Sequence, residues 1–172
     1  MDNKNIISQS DYIITFGSFL AADNVEIQEA IIEAIAKKSA EFVYMHPIDN
    51  VDLKVYYSQF IKYEVGSEEG IASLLLESFV KTPNEKTKAF IEELDIGYIS
   101  AESSAGEEEF EEAYERTCDK SSKTLILGRD IFTHERVENI TKILSMIKKQ
   151  SDINIISLDA KYQNMIDEIS DE

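Results

Sequence analysis

Two short apolar runs in this chain each end on a glycine followed by a helix-like segment, and that arrangement restricts the fold more than any other feature. The first is Asp11-Tyr12-Ile13-Ile14-Thr15-Phe16, followed by Gly17-Ser18. The second is Lys123-Thr124-Leu125-Ile126-Leu127, followed by Gly128-Arg129-Asp130. Runs that are apolar on both faces are strands of a parallel sheet covered by helices on each side. Where such a strand ends on glycine at a helix entry, open α/β sheets place their ligands: a group can approach the bare backbone, and the helix N-terminus favours an anion.

The remaining pattern extends this reading. Asp23 offers an N-cap, with Glu26 completing a capping box. Ile27, Ala30, Ile31, Ala34 and Ile35 then recur at helical spacing, which predicts a helix over about 24–38 ending at Lys37-Lys38. Glu41–Met45 is a second strand, stopped by His46-Pro47, and the three elements make one βαβ unit. Tyr56–Tyr63 reads as extended. Gly66-Ser67 opens a helix whose buried stripe is Ile71, Leu74, Leu75 and Phe79. Thr82-Pro83-Asn84-Glu85 starts another, running to about Leu94, with Thr82 as cap.

Further along, Ile96–Ser100 is expected as a third core strand and Thr124–Leu127 as a fourth. Between them, 101–115 reads as one acidic surface helix opened by Ser104. It carries Glu102, Glu107, Glu108, Glu109, Glu111, Glu112 and Glu115 around a narrow stripe of Phe110, Ala113 and Tyr114. Val137 to Ile147 marks a helix ending at Lys148-Lys149. Ile153–Leu158 is a last strand and Tyr162–Ile169 a short terminal helix. Ile14, Ile31, Val43, Leu75 and Ile126 are expected in the core. No linker rich in Pro, Gly or Ser divides the 172 residues, so the expectation is one α/β domain over 1–172, Rossmann-like, with a mostly parallel sheet and helices on both faces.

Charge narrows the partners. Seventeen Lys and Arg against 34 Asp and Glu leave a formal charge of −17. Such a surface repels nucleic acid and anionic membranes and favours basic or neutral partners, or serves solubility alone. The apolar runs are too short to span a bilayer, and the N-terminus carries no signal-peptide pattern. Cys118 is the one cysteine. It can neither form an internal disulfide nor hold an iron–sulfur cluster alone, which fits a reducing, cytosolic setting.

No complete catalytic set is visible. Gly17-Ser18-Phe19-Leu20-Ala21 matches neither a GxGxxG fingerprint nor a Walker loop; it is a nucleotide site or simply a tight turn. His46 with Asp49 and Asp52 could be drawn as a metal site, or as a solvated polar turn. His134 near Asp130 could be an acid–base pair, or a surface histidine at a helix entry. The glutamates around Cys118 would raise its pKa, which disfavours a nucleophile. We expect no catalytic residue and no metal ligand.

The order of the pieces carries more information. Strand, Gly17-Ser18, helix, strand ending Met45-His46-Pro47, extended Phe60-Ile61-Lys62, then Gly66-Ser67-Glu68 and an apolar helix resembles the molybdopterin oxidoreductase superfamily. Leu125 to His134 resembles that family's later strand-and-glycine segment, so the resemblance covers roughly 11–158. Members typically read Gly-Ser-Asn-Pro, Asp-Pro-Arg and Pro-Gly-Thr-Asp at the three turns. Tyr44-Met45-His46-Pro47 and Phe60 to Gly70 are similar, more narrowly, to the large iron–sulfur subunits of respiratory complex I (NADH-quinone oxidoreductase), in the form of ε-proteobacteria. Those subunits carry a molybdopterin-oxidoreductase-like region without its pterin.

That resemblance implies a non-catalytic structural domain of a NADH-quinone oxidoreductase subunit, supporting electron transfer to quinone. It implies a fragment of a larger subunit, with iron–sulfur clusters elsewhere in the parent and no cofactor in this segment. The implied partners are the cluster-bearing remainder of the same chain and the other complex I subunits, in the cytoplasm and peripheral to the inner membrane. Gly17, Ser18, His46, Gly66, Ser67, Gly128 and Arg129 would be the remains of the pterin-nucleotide site. Phe19-Leu20 stands for Asn-Pro, Ile48 for the arginine, and Val65 and Glu68 for Pro and Asp. A cationic or amide contact has thus become apolar while carboxylates have increased, and a pyrophosphate is opposed by both changes. The alternative is a domain that still holds a nucleotide or pterin at the Gly17 and Gly128 turns. A small α/β hydrolase is a third reading, and it lacks a nucleophile motif.

Overall fold

The computed structural model describes residues 2–171, with the side chains of 21, 23, 170 and 171 outside the description. Its strands are β1 (Tyr12–Phe16), β2 (Glu41–Met45), β3 (Gln59–Ile61), β4 (Lys123–Leu127) and β5 (Ile153–Ser157). They form one sheet in the order β3-β2-β1-β4-β5, and every pairing is parallel. β1 is central and in register with both neighbours, Ile14 opposite Val43 on one side and Leu125 on the other.

Alternation along the strands builds a core on each face. Tyr12, Ile14 and Phe16 point one way with Val43, Met45, Leu125, Leu127, Ile153 and Ile155. Ile13 points the other way with Phe42, Tyr44, Ile126 and Ile156. The second face is covered by α1 (Asn3–Gln9), α2 (Leu20–Asp23) and α3 (Val25–Lys38). The first is covered by α4 (Glu68–Phe79), α5 (Glu85–Glu92), α6 (Ile96–Ser103), α7 (Glu107–Glu115), α8 (Arg129–Phe132), α9 (Val137–Gln150) and α10 (Ala160–Asp171). The chain runs outward from β1 in both directions, so right-handed crossovers put α3 and α9 on opposite faces. The Tyr12 hydroxyl donates to the Ala113 carbonyl at 2.5 Å, tying the central strand to α7.

Several boundaries differ from the sequence reading, each for a local reason. Ile96–Ser100, expected as a strand, is the body of α6: the Asp95 carboxylate caps it by accepting from the Tyr98 amide at 3.0 Å. Ile96 and Ile99 therefore face α4 at helical spacing, and Ile99 lies where Gly70 has no side chain. The third strand of the sheet is β3, inside the segment expected to be extended; a single 3-10 turn at Lys54–Tyr56 precedes it. The acidic segment is two helices. Ser104 ends α6 in a left-handed conformation (φ 54°), and α7 starts after Gly106, whose amide donates to Glu109 at 2.7 Å. Asn24 caps α3 and Asn84 caps α5, each accepting from the amide three residues on. α1 and α2 have no counterpart in the sequence pattern.

The five expected core residues are at most 1% exposed. Truncating Leu75 or Ile126 to alanine removes buried methyl groups from a packed face, and each change is expected to lower unfolding free energy by about 2–5 kcal/mol. Urea titration checks this; a loss under about 1 kcal/mol at both would contradict the packing.

Candidate functional site

The strand order reverses between β1 and β4, and the crevice beyond their carboxyl ends is where this architecture accepts ligands. Gly17 and Gly128 stand there, one at each strand end. The crevice floor is closed by the chain itself. Gly128 donates its amide to the Phe16 carbonyl at 2.8 Å, and the Asp130 amide donates to the Gly17 carbonyl at 3.0 Å. A Cβ on Gly128 would stand 2.3 Å from the Ser18 Cβ and 2.5 Å from the Gly17 carbonyl oxygen. Gly17 itself has φ +71°, with Ile131 at 3.1 Å from where its Cβ would be. Glycine is thus required at both turns, here for backbone-to-backbone contact. The Asp130 amide in the first turn of α8, which could have met an anion, is already bound to Gly17.

Above this floor lies a cleft of about 470 Å³ lined by Phe19, His46, Ile48, Gly66, Glu68, Arg129, Asp130 and His134, among others. Of the sequence candidates, His46, Gly66 and Arg129 line this cleft, while Gly17, Ser18 and Gly128 meet one another at the adjoining strand ends. Ser67 caps nothing with its side chain; its hydroxyl donates to the Glu64 carbonyl at 2.6 Å. Phe19 lies over His46 with ring centres 5.6 Å apart, and Tyr44 stacks on the same imidazole at 5.7 Å.

Two histidine–carboxylate pairs dominate the cleft. His46 Nε2 is 3.1 Å from Asp130 Oδ2, and His134 Nε2 is 3.4 Å from Glu68 Oε2 and 3.0 Å from the Gly66 carbonyl. The Nδ1 atoms accept the Ile48 and Arg136 amides, both at 3.0 Å. His46 Nδ1 also lies 3.2 Å from the Ile48 carbonyl. Both nitrogens of each ring are occupied, so neither is poised to take a proton from a substrate. The pairing corrects two expectations. Asp130 partners His46, whereas His134 pairs with Glu68. Asp49 turns to Lys54 at 3.3 Å and leaves His46 without the company a metal would need. Among the described residues no three His, Cys, Asp or Glu side chains converge on one point. Cys118 is exposed beyond α7. Sequence spacing alone could not have matched the histidines to their carboxylates, because the partners lie 84 and 66 positions apart in the chain and only the topology joins them.

Around Glu68 the polar groups are under-satisfied. Glu68 is 3% exposed, and among the described residues its Oε2 and the buried hydroxyls of Ser18 and Tyr63 have no hydrogen-bond partner. Burial raises the Glu68 carboxyl above its ordinary value, Asp130 adds to the rise, and His134 opposes it. Burial likewise pushes the Tyr63 phenol up, reinforced by Glu68 and Asp130. Arg129 is exposed and forms no ion pair among the described residues.

No protein-family model matches the sequence, and no curated protein matches it. Among solved structures the fold is similar to acetylene hydratase from Pelobacter acetylenicus, with a TM-score of 0.64 at 11% identity. The match covers 87% of this chain and 24% of that one, so the chain spans about a quarter of the hydratase's length. The likeness is one of fold.

Two outcomes are expected at the floor and at Glu68. Gly128→Ala forces a side chain into backbone and should cost about 1–3 kcal/mol or more. Gly66→Ala meets nothing within 4 Å and should cost only its φ of +90°, roughly 1–2 kcal/mol. Urea midpoints measured side by side check this order; a Gly128→Ala chain as stable as wild type would show that the turns are not in contact. For Glu68, the raised folded pKa means the folded chain holds more protons than the unfolded one above pH 4.5, the ordinary carboxyl value. Stability from this group therefore falls as pH rises through that window. Glu68→Gln should raise the midpoint at pH 7, with the gain shrinking towards pH 4.5. A wild type more stable than Glu68→Gln at pH 7 would give the His134 pair more weight than burial.

Proposed function

We propose that this chain is a non-catalytic structural domain with a molybdopterin-oxidoreductase-like fold, serving in a subunit of a NADH-quinone oxidoreductase of the respiratory complex I kind. The observation that carries this reading is the self-filled switch point. Where a related fold would lay a dinucleotide, the Gly17 and Gly128 turns touch each other and the Asp130 amide of α8 is bound to the Gly17 carbonyl. A pterin dinucleotide brings a pyrophosphate, and the residues present do not fit it: Phe19 and Ile48 line the opening, and Glu68 and Asp130 face into it. Desolvating an anion beside two carboxylates is unfavourable without matching donors.

In this reading electron transfer runs through iron–sulfur clusters in the remainder of the parent subunit, and the domain holds its neighbours in place. Its contacts are with the cluster-bearing remainder and other subunits of the complex, at the cytoplasmic face of the inner membrane. Among the described residues no helix is long and apolar enough to cross a membrane. The acid-rich α7 offers a water-facing or basic-partner surface through Glu107, Glu108, Glu112 and Glu115, since Phe110 and Ala113 are buried beneath it. Glu109 belongs to the cap of α7 and Glu112 pairs with Arg116 at 2.7 Å, so a basic partner would meet chiefly Glu107, Glu108 and Glu115.

One observation favours the alternative of a retained ligand site. Among the described residues Arg129, at the cleft, forms no ion pair, and the buried Ser18 hydroxyl at the adjoining Gly17 turn has no hydrogen-bond partner. Calorimetry of the purified chain with NADH and with a pterin dinucleotide separates the two. No heat of binding is expected up to millimolar ligand, and the tagged chain from its native cell should co-purify with cluster-bearing oxidoreductase polypeptides or be found joined to one. Micromolar binding that is lost in Arg129→Ala would overturn the structural reading, and purification free of any such polypeptide would overturn the complex I assignment.

A further inference from the structure

A second cleft, about 780 Å³, opens between α5 and α9 and shares no residue with the strand-end site. One full face of α9 lines it, from Asn139 to Gln150, a groove of about 16 Å or three helical turns. Phe90 of α5, Met146 of α9 and Ile169 of α10 give it apolar surface, with Ile143 buried beneath. Lys142 and Lys149 stand seven residues apart on one wall, about 10 Å or two turns, and Lys86 stands on the other. All three lysines are exposed, and none forms an ion pair among the described residues. Glu69 at the groove's end is engaged by Arg136 at 2.8 Å and does not neutralise them. In a chain of charge −17 this local excess of cations beside apolar surface is unusual.

We infer that the α5–α9 groove receives an amphipathic helix of a partner protein that carries acidic residues at seven-residue spacing. A helix laid along α9 would set leucine-like side chains on the half-buried Phe90 and Met146, the pattern of helix-in-groove recognition. Carboxylates two turns apart on that helix would meet Lys142 and Lys149 with matching spacing, and a third would reach Lys86. Charge of this kind fixes register and rejects basic partners more than it adds raw affinity. A second copy of this chain is a poor occupant through α7, the obvious acidic helix, because Phe110 and Ala113 are already buried in its own core.

The test uses the whole 172-residue chain and a fluorescent 16-residue probe helix with leucines every three or four residues and glutamates flanking them at seven-residue spacing. Anisotropy is read at about 0.15 M salt, where charges more than ~8 Å from the groove are screened. The probe is expected to bind, and Lys142→Glu/Lys149→Glu should weaken it by at least about tenfold, or 1.4 kcal/mol. Lys38→Glu/Lys62→Glu makes the same change in net charge on exposed lysines outside the groove and should weaken it less than about twofold. Urea midpoints confirm that both double variants fold. Equal weakening by the two pairs would reduce the effect to net charge and overturn the inference, as would no binding of the probe. Binding of dodecanoate in place of the probe, sensitive to Lys142→Glu/Lys149→Glu, would assign the groove to a small anionic amphiphile and overturn a protein partner.

Discussion

Backbone meets backbone at the point where the sheet changes direction. Gly128 can lie against Gly17 and Ser18 only because it has no side chain, and Gly17 can turn at φ +71° for the same reason. The two hydrogen bonds made there, from the Gly128 amide to Phe16 and from the Asp130 amide to Gly17, continue the β1–β4 pairing past the strand ends. That contact fixes where α8 begins, which places Asp130 beside His46 and leaves Arg129 facing water. It also uses, within the chain, two backbone amides at the end of the β4 strand, those of Gly128 and Asp130.

The cleft above follows from this closure and from charge. With two carboxylates turned inward, the imidazoles serve as their partners, each held by a backbone amide on its other nitrogen. Glu68 resides at the first position of α4, where the helix dipole favours a negative charge, yet burial outweighs that and lifts its pKa. The two pairs tie the end of β2 to α8 and the start of α4 to the α8–α9 turn. The cost is the burial of a carboxylate beside the Tyr63 hydroxyl, which has no hydrogen-bond partner among the described residues.

Much of the architecture is legible in the sequence because the strands are apolar on both faces and the long helices keep their stripes. β1, β2, β4 and β5, together with α3, α4 and α9, lie within a few residues of their expected places. The departures have a common cause. Ile96-Gly97-Tyr98-Ile99 reads equally as a strand or as one turn of helix, and a single cap, Asp95, decides it. Asn84 and Asn24 cap where the pattern points to Thr82 and Asp23, since several polar residues precede each helix and only backbone geometry selects one. At the site, the positions of the glycines, His46 and Arg129 after strands mark them as candidates. The carboxylates facing the two histidines come from distant segments that no local spacing could match to them.

Amide hydrogen exchange, resolved by NMR, tests most directly whether the switch point is closed by its own backbone. If the two turns are bonded to each other as described, the Gly128 and Asp130 amides exchange only on global unfolding, with protection equal to that of Ile14 and Ile126 in the sheet. Exchange at Gly128 and Asp130 as fast as in exposed loops, while the sheet amides stay protected, would show an open crevice able to take a ligand and would contradict the account.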